Sequence, residues 1–244
     1  MSWLSRLFGP AASAPRETVE TQLAAARAAA EGGDYQTALG LWRELAPSTP
    51  RAASNIGACF AEGLGVERAP DLAFHWLSIG AEAGDPVGQR NLATLYFRGE
   101  GVAQDDQKAQ ELYRRAAEQG DAPAQDMLSW MLLEGERPEH FIAAKRWAEE
   151  AAAQGAAASM TRLGMIHHNA LGVARDPAAA AHWWRRAAEL GDADGQAMLG
   201  AALLMGAGVA RDDKAARVWL LRAREGGSPL AARYLTAATS EAAP

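Results

Sequence analysis

Cysteine is nearly missing from this chain: Cys59 is the only one in 244 residues. A disulfide framework and a thiolate metal cluster both need more than one, so neither is available. β-Branched residues are scarce as well, which leaves strands little to build from. No window approaches the ~18 apolar residues of a membrane-spanning helix. The opening "MSWLSRLFGP" sets Arg6 among its apolar side chains and never reaches the uninterrupted ~7–15 residue run of a secretory signal. Positive charge is short too. With 24 Lys+Arg against 30 Asp+Glu the net charge is −6, and no nucleic acid partner is expected, because phosphate backbones need a concentrated positive surface. A cytoplasmic location suits these features, with peripheral contact at a membrane as an added possibility for the first residues.

What the chain has in abundance is helix-forming material. Hydrophobic residues are 49% of it, and much of that is alanine, the best helix former because it loses no side-chain entropy on ordering. The expected class is all-α.

Internal periodicity supplies the organisation. "RRAAEQGD" at 114–121 returns as "RRAAELGD" at 185–192. Trp76, Leu112, Trp147, Trp183 and Trp219 follow one another at 36, 35, 36 and 36 residues. Ala81, Ala117, Ala152 and Ala188 keep step, with Ala223 one place early in the fifth unit. "GLGV" at 63–66, "GEGV" at 99–102, "ALGV" at 170–173 and "GAGV" at 206–209 hold the same phase. Five units follow, over about 51–228.

Each unit reads as helix, tight loop, helix. Leu92, Leu95 and Tyr96, or Leu163, Ile166 and His167, have the spacing of one helix face. A small residue accompanies each set (Gly57, Ala93, Ser129, Gly164, Gly200) and lets a neighbouring helix approach closely. The first glycine of G-x-G-V suits a left-handed helix cap and the second a sharp reversal. Asp105, Asp176 and Asp212 stand where the second helix begins and can accept from its unpaired N–H groups. The tryptophans are expected to be core knobs on that helix. Unit three departs: "GERPEH" at 135–140 lacks the second glycine and the valine and is one residue short, so its loop should differ in shape.

Taken together, the apolar-Gly helix, G-x-G-V loop, aspartate cap, tryptophan helix and "AAxxG" ending resemble the Sel-one-like repeat family, a relative of the tetratricopeptide repeat with a longer inter-helix loop. The resemblance implies a right-handed α-solenoid of stacked antiparallel helix pairs. "AAARAAAEGGDYQTALGLWREL" (24–45) resembles an ordinary tetratricopeptide helix pair. The expected layout is a flexible amphipathic segment at 1–16, a capping helix pair at 17–50, five repeats at 51–228, a final capping helix at 229–238 and a disordered tail at 239–244.

Reactive chemistry is not prominent. The G-x-G-V loops lack a third glycine, a preceding strand and a following Gly-Lys-Ser/Thr, so a nucleotide reading fails. His167 and His168 are adjacent and point in different directions on a helix; the expectation is one packed and one surface imidazole, with no metal. The acidic pairs Asp105–Asp106, Glu149–Glu150 and Asp212–Asp213 suit capping and solvation. No cofactor, catalytic group or enzyme activity is expected.

By the resemblance, first helices line a concave face that holds a peptide or helix of a partner protein. Aligning the units places Asn91, Met127, Arg162 and Met198 in one column on that face, Thr94, Trp130 and Met165 three residues on, and Arg98, Glu134 and Asn169 a further turn along. Packing between first helices would use the same positions, and the two readings stand side by side. The leading expectation is a non-enzymatic scaffold in bacterial regulation or complex assembly. One alternative is the cell-wall or β-lactam hydrolysis linked to a cysteine-rich branch of the family, which staples its helices as Cys59 alone cannot. Another is membrane recruitment through Trp3, Leu4, Leu7 and Phe8.

Overall fold

The computed structural model describes residues 18–135 and 137–240, with side chains to residue 236. The described residues form thirteen α-helices and no strand. They fall into two compact units that divide between Asp105 and Asp106, each a run of antiparallel helix pairs in the α-solenoid manner.

The first unit holds α1 (Val19–Glu31), α2 (Tyr35–Leu45), α3 (Pro50–Glu62), α4 (Pro70–Glu82) and α5 (Pro86–Arg98). Its core gathers Ala26, Leu39, Trp42, Leu45, Ile56 and Cys59. Asp34 caps α2 by accepting from the Thr37 N–H, and hydrogen bonding from the Thr37 side chain first, with that N–H second, lowers the pKa of its carboxyl. The second unit holds α6 (Asp106–Glu118), α7 (Ala122–Glu134), α8 (Pro138–Ala153), α9 (Ala157–Asn169), α10 (Pro177–Glu189), α11 (Ala193–Met205), α12 (Asp213–Glu225) and α13 (Pro229–Ser240).

Alanine explains how closely these helices pack. The column Ala81, Ala117, Ala152 and Ala188 is buried throughout, and Ala223 is buried one place earlier. The small residue of the first helix has a specific partner across the pair. A methyl added at Gly57 would stand 2.6 Å from Leu77 Cγ, at Gly164 2.2 Å from Trp184 Nε1, and at Gly200 2.7 Å from Leu220 Cγ. In unit three Ser129 fills that place, and its hydroxyl donates to the Ala144 carbonyl at 2.8 Å.

Those contacts correct the reading of the tryptophan column. The deepest side chain on the second helix is one residue further on: Leu77, Tyr113, Ala148, Trp184 and Leu220 are all essentially buried. Of the ruler residues, Leu112 and Trp147 are buried, while Trp76, Trp183 and Trp219 are half-buried and lie against the edges of the core clusters. The Arg186 and Arg222 guanidinium groups stack 4.9 and 5.0 Å over the Trp183 and Trp219 rings, a cation–π cover for a ring with one wet face. Trp184, by contrast, donates its indole N–H to the Thr161 carbonyl at 3.2 Å.

The loop glycines have two different duties. Gly63, Gly99 and Gly206 are left-handed C-caps with φ of 74, 67 and 65°, and Ala170 adopts the same conformation at φ 59° in the fourth repeat. The second glycine is a point of close approach. A Cβ at Gly101 would stand 2.4 Å from the Pro70 carbonyl oxygen, and one at Gly208 2.0 Å from that of Pro177. Unit three lacks this loop, as its sequence requires. Only residues 135–137 separate α7 from α8, where 99–105, 170–176 and 206–212 separate the pair in other repeats; α8 is lengthened to 16 residues against the usual 13.

Asp176 and Asp212 cap α10 and α12 by accepting from the Ala179 and Ala215 N–H groups, each at 2.9 Å. Asp105 immediately precedes α6. The "GD" pairs also do more than end a helix. Asp85, Asp121 and Asp192 cap the next first helix, accepting from the N–H groups of Gly88, Ala124 and Gly195. Ala156 stands at that place before α9 with no side-chain bond.

Candidate functional site

First helices pack directly on one another as well as on their own partners. In the first unit α3 meets α5; in the second, α7 meets α9, α9 meets α11 and α11 meets α13. The residues that point along this first-helix side line three pockets.

In the first unit, a pocket of about 250 Å³ lies between α3 and α5, lined by Ala58, Ala61, Glu62, Asn91, Thr94, Leu95, Arg98 and Glu100. Three of the anticipated groove residues, Asn91, Thr94 and Arg98, come together there. Glu100 holds it electrostatically: its carboxylate accepts from the Arg68 guanidinium and stands 4.0 Å from Arg98 Nη1. A second pocket of about 280 Å³ is formed by α1, α2 and α3, lined by Leu23, Arg27, Glu31, Trp42, Arg51 and Asn55 among others. Arg51 is tied to the buried cap Asp85 at 2.7 Å.

In the second unit a cleft of about 260 Å³ is lined by Trp130, Leu133 and Glu134 of α7, Ala158, Thr161, Arg162 and Met165 of α9, and Asp192 and Asp194 at the start of α11. Four anticipated residues meet here: Trp130, Glu134, Arg162 and Met165. Trp130 is half-buried and Met165 is 43% exposed, so the cleft has an apolar wall open to a ligand. Arg162 is committed elsewhere, since its guanidinium pairs with Asp126 at 2.5 Å with only 13% of its side chain exposed. The Thr161 hydroxyl donates to Asp192 at 2.7 Å, and Ser228 donates to Asp194 at 2.6 Å.

The remaining anticipated residues do not line these pockets. Met198 is half-buried against the cluster of Ala180, Trp184, Leu199 and Leu203; it packs toward the second helices α10 and α12 and not between first helices. Met127 is half-buried on α7, and Asn169 is exposed at the last turn of α9. Sequence alignment missed Asp192 and Asp194. For Asp192 the signal was there in the recurring "GD", whose aspartate starts a first helix and so stands beside the neighbouring first helix; Asp194 has no acidic counterpart in the other repeats. Trp3, Leu4, Leu7 and Phe8 lie outside the described residues.

Cys59 is buried, and desolvation pushes its pKa up to about 11, so the thiol is protonated at neutral pH and is a poor nucleophile. His167 and His168 are both half-buried rather than one inside and one outside; the His168 ring lies 5.5 Å from that of Trp184. No three His, Cys, Asp or Glu side chains among the described residues come together as a metal set. No described helix is long and apolar enough to cross a membrane.

Comparison with known proteins places this geometry. The Sel1 repeat matches at residues 50–85, 86–121, 122–155, 157–192 and 193–228. A Sel1 repeat protein from Oxalobacter formigenes is similar at a TM-score of 0.80 and 26% identity, over 86% of this chain and 84% of that one. A protective antigen present in uropathogenic Escherichia coli strains, displaying an SLR fold, is similar at 0.86 and 31% identity over 92% of this chain. The chain spans 50% of that antigen's length. An immunity protein from Pseudomonas aeruginosa, 16% identical over 92% of this chain and 86% of that one, shares the fold alone at a TM-score of 0.56. With the repeat matched at five successive places, the chain belongs to the Sel1 repeat family.

Proposed function

We propose that this protein is a non-enzymatic scaffold that holds a peptide or helix of a partner protein against its first helices, in bacterial regulation or complex assembly. Sel1 repeat proteins generally act as protein-interaction scaffolds. The observation that carries the finer reading is the location of the pockets: all three are lined chiefly by first helices. The second helices present their arginine-covered tryptophans instead. A shallow cleft with an aromatic anchor and a polar rim is what peptide recognition uses, because the buried anchor supplies affinity and the rim supplies orientation.

The test is affinity capture with a double variant. Arg98→Glu together with Trp130→Ala alters one residue in the α3–α5 pocket and one in the α7–α9 cleft, both on the helix surface, so the circular dichroism spectrum should be unchanged. Capture of the wild-type partner should fall by about tenfold or more, the scale of losing a buried aromatic anchor worth at least ~1.4 kcal/mol. Undiminished capture by the folded variant rejects the first-helix face as the binding surface.

A further inference from the structure

Charge is sorted by helix in the second unit. The first helices α7, α9 and α11, with the aspartates that cap them, carry Asp121, Asp126, Glu134, Asp192 and Asp194 against one cation, Arg162. The second helices are mixed, and α6, α8, α10 and α12 hold most of the unit's lysines and arginines, such as Arg146, Arg186 and Arg222. Arg162 does not offset the acidic side, because it is bound to Asp126. The cleft between α7, α9 and the start of α11 therefore presents Glu134, Asp192 and Asp194 around the apolar surface of Trp130, Leu133 and Met165.

The state of each carboxylate matters. Asp192 is engaged internally, with Thr161 and the Gly195 N–H as its donors. Asp194 accepts one bond from Ser228 and is otherwise exposed, and Glu134 is exposed at the end of α7. Two exposed carboxylates flank an apolar anchor site, and among the described residues the cation that lines the cleft, Arg162, is paired with Asp126. A ligand that brings positive charge gains attraction and orientation from them.

From this we infer the chemistry of the partner: a segment that seats one large apolar side chain, aromatic or leucine, beside Trp130 and Met165 and carries lysine or arginine next to it to meet Glu134 and Asp194. This deepens the scaffold reading and rests on it. It also predicts an ionic-strength dependence, since rim pairs are screened by salt.

Selection from a random dodecapeptide display library on the purified full chain tests the inference. The expected result is enrichment of peptides with an aromatic or leucine anchor flanked by Lys or Arg. Their binding should weaken about tenfold in Glu134→Gln/Asp194→Asn, a change that keeps the Ser228 bond to an acceptor oxygen. It should also weaken with added salt and be lost in Trp130→Ala. Enriched peptides without cations, insensitive to the double neutralisation yet lost in Trp130→Ala, overturn the charge inference and leave the scaffold reading standing. Binding indifferent to Trp130→Ala, or no enrichment at all, overturns both for this cleft. Self-association of the purified chain that Glu134→Gln/Asp194→Asn abolishes would assign the cleft to a second copy and overturn the inference as well.

Discussion

At the scale of single residues, the two glycines of G-x-G-V separate two physical demands that one motif had merged. The first position asks only for a left-handed conformation. Ala170 shows that a Cβ is tolerated there, at the ~1–2 kcal/mol cost of that conformation for an L residue. The second position also lacks room, because its neighbour is backbone. Gly206→Ala is therefore expected to cost about 1 kcal/mol, while Gly208→Ala adds a clash with the Pro177 carbonyl and costs about 2–4 kcal/mol. Conversely, Ala170→Gly relieves the strain, which outweighs the ~0.4–1 kcal/mol lost to unfolded-state freedom, and gains about 0.5 kcal/mol. Denaturant midpoints of the three variants check this ordering; equal losses at Gly206 and Gly208 would contradict it.

Elements repeat more faithfully than their caps do. The residue before each first helix runs Thr18, Thr49, Asp85, Asp121, Ala156, Asp192 and Ser228, and only α9 lacks a polar side chain at that place. Ala156→Ser supplies the missing acceptor for the first turn of α9 and should stabilise by about 1 kcal/mol. Serine is preferred over aspartate because Asp126 already lies against Ser159 in that turn. Asp212→Ala should cost a similar ~1 kcal/mol by leaving the Ala215 N–H unpaired. Thermal unfolding of the pair provides the check, and an Ala156→Ser variant no more stable than wild type refutes the first expectation. Element order was largely legible in sequence: the glycine loops, the aspartate starts and the short third loop all announced themselves. The face of the second helix was misplaced by one residue. A period of about 36 sets the spacing of a column but not which of two adjacent large residues, Trp183 or Trp184, faces the glycine opposite.

On the scale of the whole chain, stability in a repeat array is a sum of units and their interfaces, so the end of the array must be covered. We propose that α13 performs that service in the second unit, where Ala231 and Leu230 pack with Ala197 and Ala223. Truncation after Ser228 should lower Tm by several degrees and raise binding of a hydrophobic dye, because those alanines lose their cover. Calorimetry of the truncated chain decides it, and an unchanged Tm shows that this end needs no cap.

The amino-acid sequence by itself determined the helix pairs, their period, the loops and the family, because those follow from local rules: alanine's propensity, glycine's left-handed freedom, aspartate's capping oxygen. It also brought forward seven of the residues that line the pockets, Asn91, Thr94, Arg98, Trp130, Glu134, Arg162 and Met165. Only the tertiary structure decided their state. Arg162 reads as a free cation until Asp126, from the preceding repeat, is found beside it. Met198 shares a column with Arg162 by alignment, yet it packs on a core cluster while Arg162 lines the cleft. Burial and pairing depend on what neighbouring repeats place opposite a side chain, and a column of aligned letters carries no record of that.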